Sequence, residues 1–454
     1  MGRNNVDLLE GPIAGTLAKL AFPIMGTSLI QMAYNLVDML WIGRISSNAV
    51  AAVGAAGMYM WLANGVTTVP RMGGQVTVGQ SLGAMDREGA VDYARGAVRM
   101  GILLGIIYGL ICVVFNRPLI GFFKLNSPQV IYDARMYLLI TCGAIVFSFL
   151  NQIFTGILAA MGNTLATFRA TTIGLVINLV LDPVLIFGLG PLPRMEMAGA
   201  ALATVFAQVI VFLIYLFTVW KEPVIFSHIH LMQKSESRHI REIVKIGFPS
   251  AIQDALFSGI SMVIARMIAG WGDAAVAVQK VGSQIESISW MAAGGFSTAV
   301  NAFVAQNYGA GKRKRIKDGY KTAMMIMAVW GLFTSFILIV FPEFFFRIFI
   351  TEKEVLPMGV DYLRIIGISE FFMCMEITSA GAFQGFGKTI PPSMTGILFN
   401  GLRIPFAMLL SSTALGLNGV WWTLSLSSVL KGLVLPVWFL IIFVKYYKSG
   451  RERF

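Results

Sequence analysis

Four polar residues, Gln31, Tyr34, Asn35 and Asp38, interrupt a long apolar stretch near the start of the chain. Their spacing of i, i+3, i+4 and i+7 puts all four on one face of a helix. Asn178 and Asp182 form an i, i+4 pair in another apolar stretch, so both project from one side of theirs. Two carboxylates and an amide can then converge. Carboxylate and carbonyl oxygens are ligands for hard cations, and two nearby carboxylates do not both stay charged without one. Either a proton is retained or a small cation sits between them; both give a site whose charge changes with occupancy. The same groups have a second use, a buried hydrogen-bond network that joins helices, and Asp182-Pro183 can also end a helix segment near the surface.

Further polar stripes run at helical spacing elsewhere. Asn64, Thr68, Arg71 and Gln75 form one; Gln279, Ser283 and Glu286 form another. Gln253, Asp254 and Ser258 mark a third segment, and Glu370 and Glu376 a fourth. Such stripes suit a polar central cavity, and Asn64, Thr68, Gln253, Asp254, Gln279, Ser283 and Glu376 are its candidate lining with Gln31 and Asn35. Serine, threonine and glutamine on membrane helices also serve as packing groups. Pro23 and Pro249 fall early in two apolar segments. A proline inside a helix removes a hydrogen bond and crowds the preceding turn, so a bend is expected at each.

Other chemistry finds no support. His228, His230 and His239 have no cysteine or acidic neighbours at metal-ligand spacing. No Gly-rich sequence ends in Lys-Ser or Lys-Thr, which argues against ATP as energy source. Neither His-Glu-x-x-His nor a nucleophile elbow occurs. A membrane-embedded enzyme would need a catalytic constellation, and none is present. No cofactor is expected.

The elements that must position these residues follow from composition. Apolar residues make up 56% of the 454 and charged residues 13%, against about 45–50% and about 25% in soluble domains. Disorder, a secreted disulfide scaffold and a collagen-like fibre are excluded, and the chain reads as an all-α polytopic membrane protein. Measured against the roughly 20 apolar residues a spanning helix needs, twelve transmembrane helices are expected, centred near residues 28, 62, 104, 143, 178, 208, 256, 290, 332, 370, 402 and 432. The net charge of +12 does not point to nucleic acid, because Lys and Arg cluster between apolar stretches. They crowd the even-numbered gaps, as in Lys312-Arg313-Lys314-Arg315, which puts both termini in the cytoplasm. Cys112, Cys142 and Cys374 lie in apolar segments in an odd count, so no disulfide framework is implied. The amino terminus does not read as a cleaved signal.

The stretch 221–245 is the one sizeable polar interruption, holding Lys221, Lys234, Arg238, Arg241 and Lys245. It divides the chain into an amino-terminal lobe (1–220, six helices), a cytoplasmic linker (221–245) and a carboxy-terminal lobe (246–454, six helices and a basic tail). A shift of 226 positions aligns Lys19-Leu-Ala-Phe22-Pro23 with Lys245-Ile-Gly-Phe248-Pro249, and Ala49-Val50-Ala51 with Ala275-Val276-Ala277. The same shift aligns Gln80-Ser-Leu-Gly83-Ala84 with Gln306-Asn-Tyr-Gly309-Ala310. Three clusters in one register indicate an internal repeat. Two pseudo-symmetric six-helix lobes of the same orientation form a parallel repeat, an architecture of secondary transporters.

Across essentially its whole length the chain resembles the multidrug and toxic compound extrusion (MATE) transporters. The most specific part is Gly294-Gly295-Phe296-Ser297-Thr298-Ala299, followed by Val304-Ala305-Gln306-Asn307-Tyr308-Gly309-Ala310-Gly311-Lys312. Gly79-Gln80-Ser81-Leu82-Gly83-Ala84 repeats this signature in the first half. Phe22-Pro23 with Tyr34 and Asp38, and Asn178 with Asp182-Pro183, are similar to family positions. The resemblance implies two lobes around a central cavity and drug efflux driven by inward flow of Na⁺ or H⁺. It also implies that Asp38, Asn178 and Asp182 form the cation site, with Tyr34 beside it and Thr204 as a further member. The acidic residue that the NorM-like branch carries on helix 7 is replaced here by Phe257, with Asp254 one turn earlier. That departure favours the first-lobe arrangement of the branch similar to the DNA-damage-inducible F protein.

The expected function is therefore an antiporter, coupled to H⁺ or Na⁺, that exports amphipathic, mostly cationic organic compounds from a bacterial inner membrane. It would work as a monomer among membrane lipids, with no nucleic-acid partner. A lipid or oligosaccharide-lipid flippase is the main alternative, since related families share two lobes; a channel suits the repeat less well.

Overall fold

The apolar stretches become helices throughout, and no strand occurs among the described residues. In the computed structural model these are 6–123, 125, 127–188, 193–220, 225, 236–349 and 352–448. The first half contains α1 (Ile13–Gly43), α2 (Ser47–Gly83), α3 (Arg87–Val114), the short α4 (Asn116–Gly121), α5 (Pro128–Gly143), α6 (Ile145–Ala160), α7 (Thr164–Phe187) and α8 (Glu196–Trp220). The second contains α9 (Ser237–Ala269), α10 (Asp273–Gly309), α11 (Arg313–Val340), the short α12 (Pro342–Arg347), α13 (Leu356–Gly385), α14 (Ile390–Gly401), α15 (Arg403–Ser411) and α16 (Leu417–Lys448). Each of the twelve expected centres falls within a long helix or within a broken pair, α5 with α6 or α14 with α15. Among the described residues, ten spans are long and apolar enough to cross a membrane, and the pair α5 and α6, bent by 49°, makes an eleventh if taken as one span. The 37-residue α2, rich in Gly and polar groups, is the remaining long helix.

The repeat is visible in the helix boundaries. Shifting α2, α3 and α4 by 226 positions reproduces the limits of α10, α11 and α12, and the start of α7 lands on the start of α14. The outward faces repeat too. Leu103, Ile106, Ile107 and Leu110 on α3 are exposed, and so are Val329, Leu332, Phe333 and Phe336 at the shifted positions on α11. A one-sided apolar stripe on a polytopic helix is the face that meets hydrocarbon.

The chain folds as two compact units. One comprises residues 1–7 and 26–251, the other 8–25 and 252–454. Two of the three changeovers fall just after Pro23 and Pro249, and both helices continue unbroken through their prolines. In the first unit, the opening turns of α9 lie against α2 so closely that a Cβ on Gly73 would collide with the Ile243 carbonyl, and one on Gly247 with the Val69 backbone. Small residues at a membrane helix crossing allow this approach. The Tyr93 hydroxyl donates to Glu242, and the His239 ring meets Tyr93 edge-on at 4.4 Å. In the second unit, Met25 on α1 packs against Gly295 on α10. Arg315 donates to the carbonyls of Leu8, Glu10 and Gly11 at 3.1, 2.7 and 2.8 Å, and Lys312 to that of Leu9 at 2.9 Å.

Because α9 begins at Ser237, the basic residues Arg238, Arg241 and Lys245 stand on its first turns rather than in a loop. Lys221, His228, His230 and Lys234 lie outside the described residues. The three cysteines are buried and free.

Candidate functional site in the first unit

The polar groups of α1, α5, α7 and α8 come together inside the first unit. Asp38 (9% exposed), Asn178 (2%) and Asp182 (0%) are withdrawn from the surface. Pro183 lies inside α7, which continues to Phe187, so Asp182 is a buried carboxylate more than a turn before the helix end and not a surface terminus. The i, i+4 pair contacts itself: Asn178 Nδ2 donates to Asp182 Oδ1 at 3.3 Å. Asp182 lies within electrostatic range of Asp38. On the same side, the Tyr34 hydroxyl donates to Thr204 Oγ1 at 3.2 Å, and Thr204 in turn donates to the Ala200 carbonyl at 3.1 Å.

Tyr137 on α5 joins the same cluster. It is buried (6% exposed) and lies within electrostatic range of Asp38 and Asp182, beside Thr204. The sequence reading missed it, although a phenol inside an apolar segment needs a polar partner when buried. That need was the available signal.

Two oxygens of this cluster stand out, as do both carboxylate oxygens of the buried Glu370 in the second unit. Asp38 Oδ1 and Asp182 Oδ2 are buried and receive no hydrogen bond from the described residues. Burying a carboxylate oxygen without a donor is costly, and the usual remedies are a proton or a bound cation. The surroundings are oxygen-rich, and among the described residues no Arg or Lys is hydrogen-bonded or ion-paired to either carboxylate, a donor set that suits a proton or a small hard cation.

The other candidates are dispersed. Gln31 and Asn35 are exposed. Asn64 is exposed and accepts from Gln152 at 2.8 Å, while Thr68 turns back to the Asn64 carbonyl at 3.0 Å. Ser283 likewise bonds the Lys280 carbonyl at 2.9 Å, and Asp254 is exposed on α9. Gln253 lies beside Gly396. Two candidates enter a separate network of the second unit. Gln279 Oε1 accepts from Trp421 Nε1 at 2.9 Å, and Glu376 pairs with Lys431 at 3.0 Å. Tyr362 completes that network by donating to Glu286 at 3.3 Å.

Fold and site together define a duplicated helical membrane protein with a cluster of two buried carboxylates, Asp38 and Asp182, in its first half. The MatE family model matches residues 23–184 and again 249–409, starting at the two equivalent prolines. The chain belongs to this family, the MATE transporters. It is 28% identical over 408 residues to "Probable multidrug resistance protein NorM" of Thermotoga maritima, covering 89% of this chain and 87% of that one. It is 24% identical over 437 residues to "FAD transporter" of Shewanella oneidensis (94% of each chain), and 23% identical over 448 residues to "Multidrug export protein MepA" of Staphylococcus haemolyticus (97% and 95%). Among solved structures, an outward-facing multidrug resistance MATE transporter superposes with a TM-score of 0.91 at 21% identity, over 99% of this chain and 100% of the other. A MATE structure in a straight conformation gives 0.92 at 21% identity, with the same coverage.

Proposed function

We propose that the protein is a cation-coupled antiporter that exports amphipathic, mostly cationic organic compounds by alternating access, with Asp38, Asn178 and Asp182 as the coupling site and Tyr34 and Thr204 at its edge. The observation that carries this reading is the pair of buried carboxylate oxygens without donors. A site of this kind is stable when it holds H⁺ or Na⁺ and unstable when it holds neither, so emptying it favours another arrangement of the helices around it. Coupling is then competition: the inward-moving cation and the outgoing compound favour different states of α1. Apolar walls with abundant Met adapt to varied ring systems. Relatives named "Probable multidrug resistance protein NorM" and "Multidrug export protein MepA" support the cargo class. Phe257 at the helix-7 position supports placing the coupling site in the first half. The bacterial relatives and the distribution of Lys and Arg support a bacterial inner-membrane location with both termini cytoplasmic. We take the monomer as the working unit, since one chain carries both halves.

The test is uptake of a fluorescent cationic dye into inside-out vesicles, with pH and Na⁺ gradients imposed separately. One gradient drives uptake in the wild type, and Asp38→Asn and Asp182→Asn each reduce it to background at normal membrane levels. Wild-type uptake in both variants removes the carboxylates from the mechanism.

A further inference from the structure

The polar network of the second unit includes two basic side chains, whereas no basic side chain is bonded to Asp38 or Asp182 among the described residues. Lys431 on α16 is 7% exposed and its Nζ lies 3.0 Å from Glu376 Oε2 on α13. Arg403 opens α15, half-buried, with Nε donating to Ser427 Oγ at 2.6 Å and one terminal nitrogen to Ser428 Oγ at 3.3 Å. Its guanidinium carbon stands 6.0 Å from the centre of the Phe257 ring, which is itself exposed. Glu286 and Glu376 are within electrostatic range of Arg403, yet neither forms a salt bridge with it. The carboxylate of Glu286 is engaged by Tyr362, and that of Glu376 by Lys431.

This is an unusual use of arginine. A guanidinium withdrawn from water normally meets a carboxylate or phosphate through its planar fork, because two parallel N–H···O bonds offset its lost hydration. Arg403 spends part of that fork on two neutral hydroxyls. A carboxylate or phosphate arriving beside Phe257 would find the rest of the fork, two serine hydroxyls, and a second cation held by an exchangeable partner.

We propose that Arg403, Lys431 and the serines 427 and 428 form an anion subsite that receives a carboxylate or phosphate group of the exported compound. The cargo is then amphipathic with an oxyanion on it, zwitterionic where it also carries a cationic ring system. The subsite rests on the reading of the protein as an exporter, but its recognition chemistry is separable from coupling. Glu376 acts as an internal stand-in: it holds Lys431 until an external oxyanion competes for the ammonium. Arg403 is the specificity-determining residue, since only a fork distinguishes a free carboxylate from its ester by paired hydrogen bonds.

Binding of rhodamine B, which has a free carboxylate, and of its ethyl ester to purified full-length protein in detergent tests this without any gradient. Fluorescence anisotropy should show tighter binding of the free acid by the wild type. Arg403→Lys keeps the charge and removes the fork; it should weaken the acid about tenfold and leave the ester within about twofold. Glu376→Gln releases Lys431 and should tighten the acid several-fold, an outcome that a purely structural ion pair does not produce. Equal affinity of the wild type for both dyes, or equal effects of Arg403→Lys on both, overturns the proposal. So does undetectable binding of either dye to wild-type protein that unfolds cooperatively. Competition separates two sources of oxyanion. Displacement of rhodamine B by phenyl phosphate supports a small-molecule cargo, whereas displacement by short-chain phosphatidic acid alone assigns the site to a lipid headgroup and overturns the cargo assignment. Acid-selective binding without gradient-driven uptake in the wild type would sink the antiporter reading and leave the subsite standing.

Discussion

The two halves share a scaffold and oppose each other in chemistry. Asp38 on α1 is matched, 226 positions on, by Ile264 on α9, which is 4% exposed and part of an apolar core with Ile268, Ala275 and Ala407. Tyr34 is matched by Ile260, which packs against that core. Counted from the starts of α7 and α14, Asp182 stands opposite Met408, whose neighbours Ala407 and Leu409 are apolar as well. In the other direction, Glu286 of the second half is matched by Met60, and Arg403 by Ile177. Duplication has preserved where helices start, stop and face lipid. It has not preserved where charge is buried. Fold is set by distributed apolar periodicity and survives exchange of single residues; a site depends on a few polar atoms and does not.

The sharpest way to break this contrast is to move a charge across it. Ile264→Asp places an unpaired carboxylate in the apolar core of the second unit. It should cost several kcal/mol, on the order of what an uncompensated buried charge costs, and remove most of the folded peak from size-exclusion profiles of detergent extracts. A wild-type profile would mean that the second half tolerates an acidic pocket at the equivalent place.

The ion pair of the second half is expected to obey a different rule. Lys431→Met alone strands Glu376 and should destabilise by about 3–5 kcal/mol. Adding Glu376→Gln should recover most of that loss. Thermal unfolding of the single and double variants measures the difference, and additive losses would show that the pair is not coupled.

The smallest effect concerns a turn. Gly311 has φ 68° and, 226 positions earlier, Met85 has φ 60° with its side chain exposed. The left-handed conformation costs an L-residue with a side chain roughly 1–2 kcal/mol and glycine almost nothing. Met85→Gly should therefore raise the melting temperature by a few degrees at most. A decrease would show that the Met85 side chain stabilises the first half in some other way.

Much of the fold was legible because periodicity and length are collective. Spans with no single diagnostic residue were still placed near their centres, and three short matches gave the register of the repeat. The acidic cluster was legible in part, because Asp38 and Asp182 lie in apolar sequence where ionisable groups are rare. Tyr137 was missed, since α5 meets α8 only after folding and no local spacing announces the contact. Asn64, Thr68 and Ser283 looked like cavity lining. In the structure Thr68 and Ser283 satisfy backbone carbonyls of their own helices, a local alternative available to any hydroxyl residue, and Asn64 binds a glutamine of α6. The start of α9 was placed too late because its first turns are basic, and hydropathy cannot separate a polar helix end from a loop.

The exchange of chain segments at the two prolines bears on how the molecule is made. Residues 8–25 leave the ribosome more than two hundred residues ahead of 252–454, the segment they belong with. The opening turns of α1 must therefore wait, inserted but undocked, until α10 and α11 have been synthesised. A gene split within the linker would yield two fragments, each lacking a piece of itself and carrying a piece of the other. Such fragments should accumulate poorly when expressed singly and rescue one another when co-expressed.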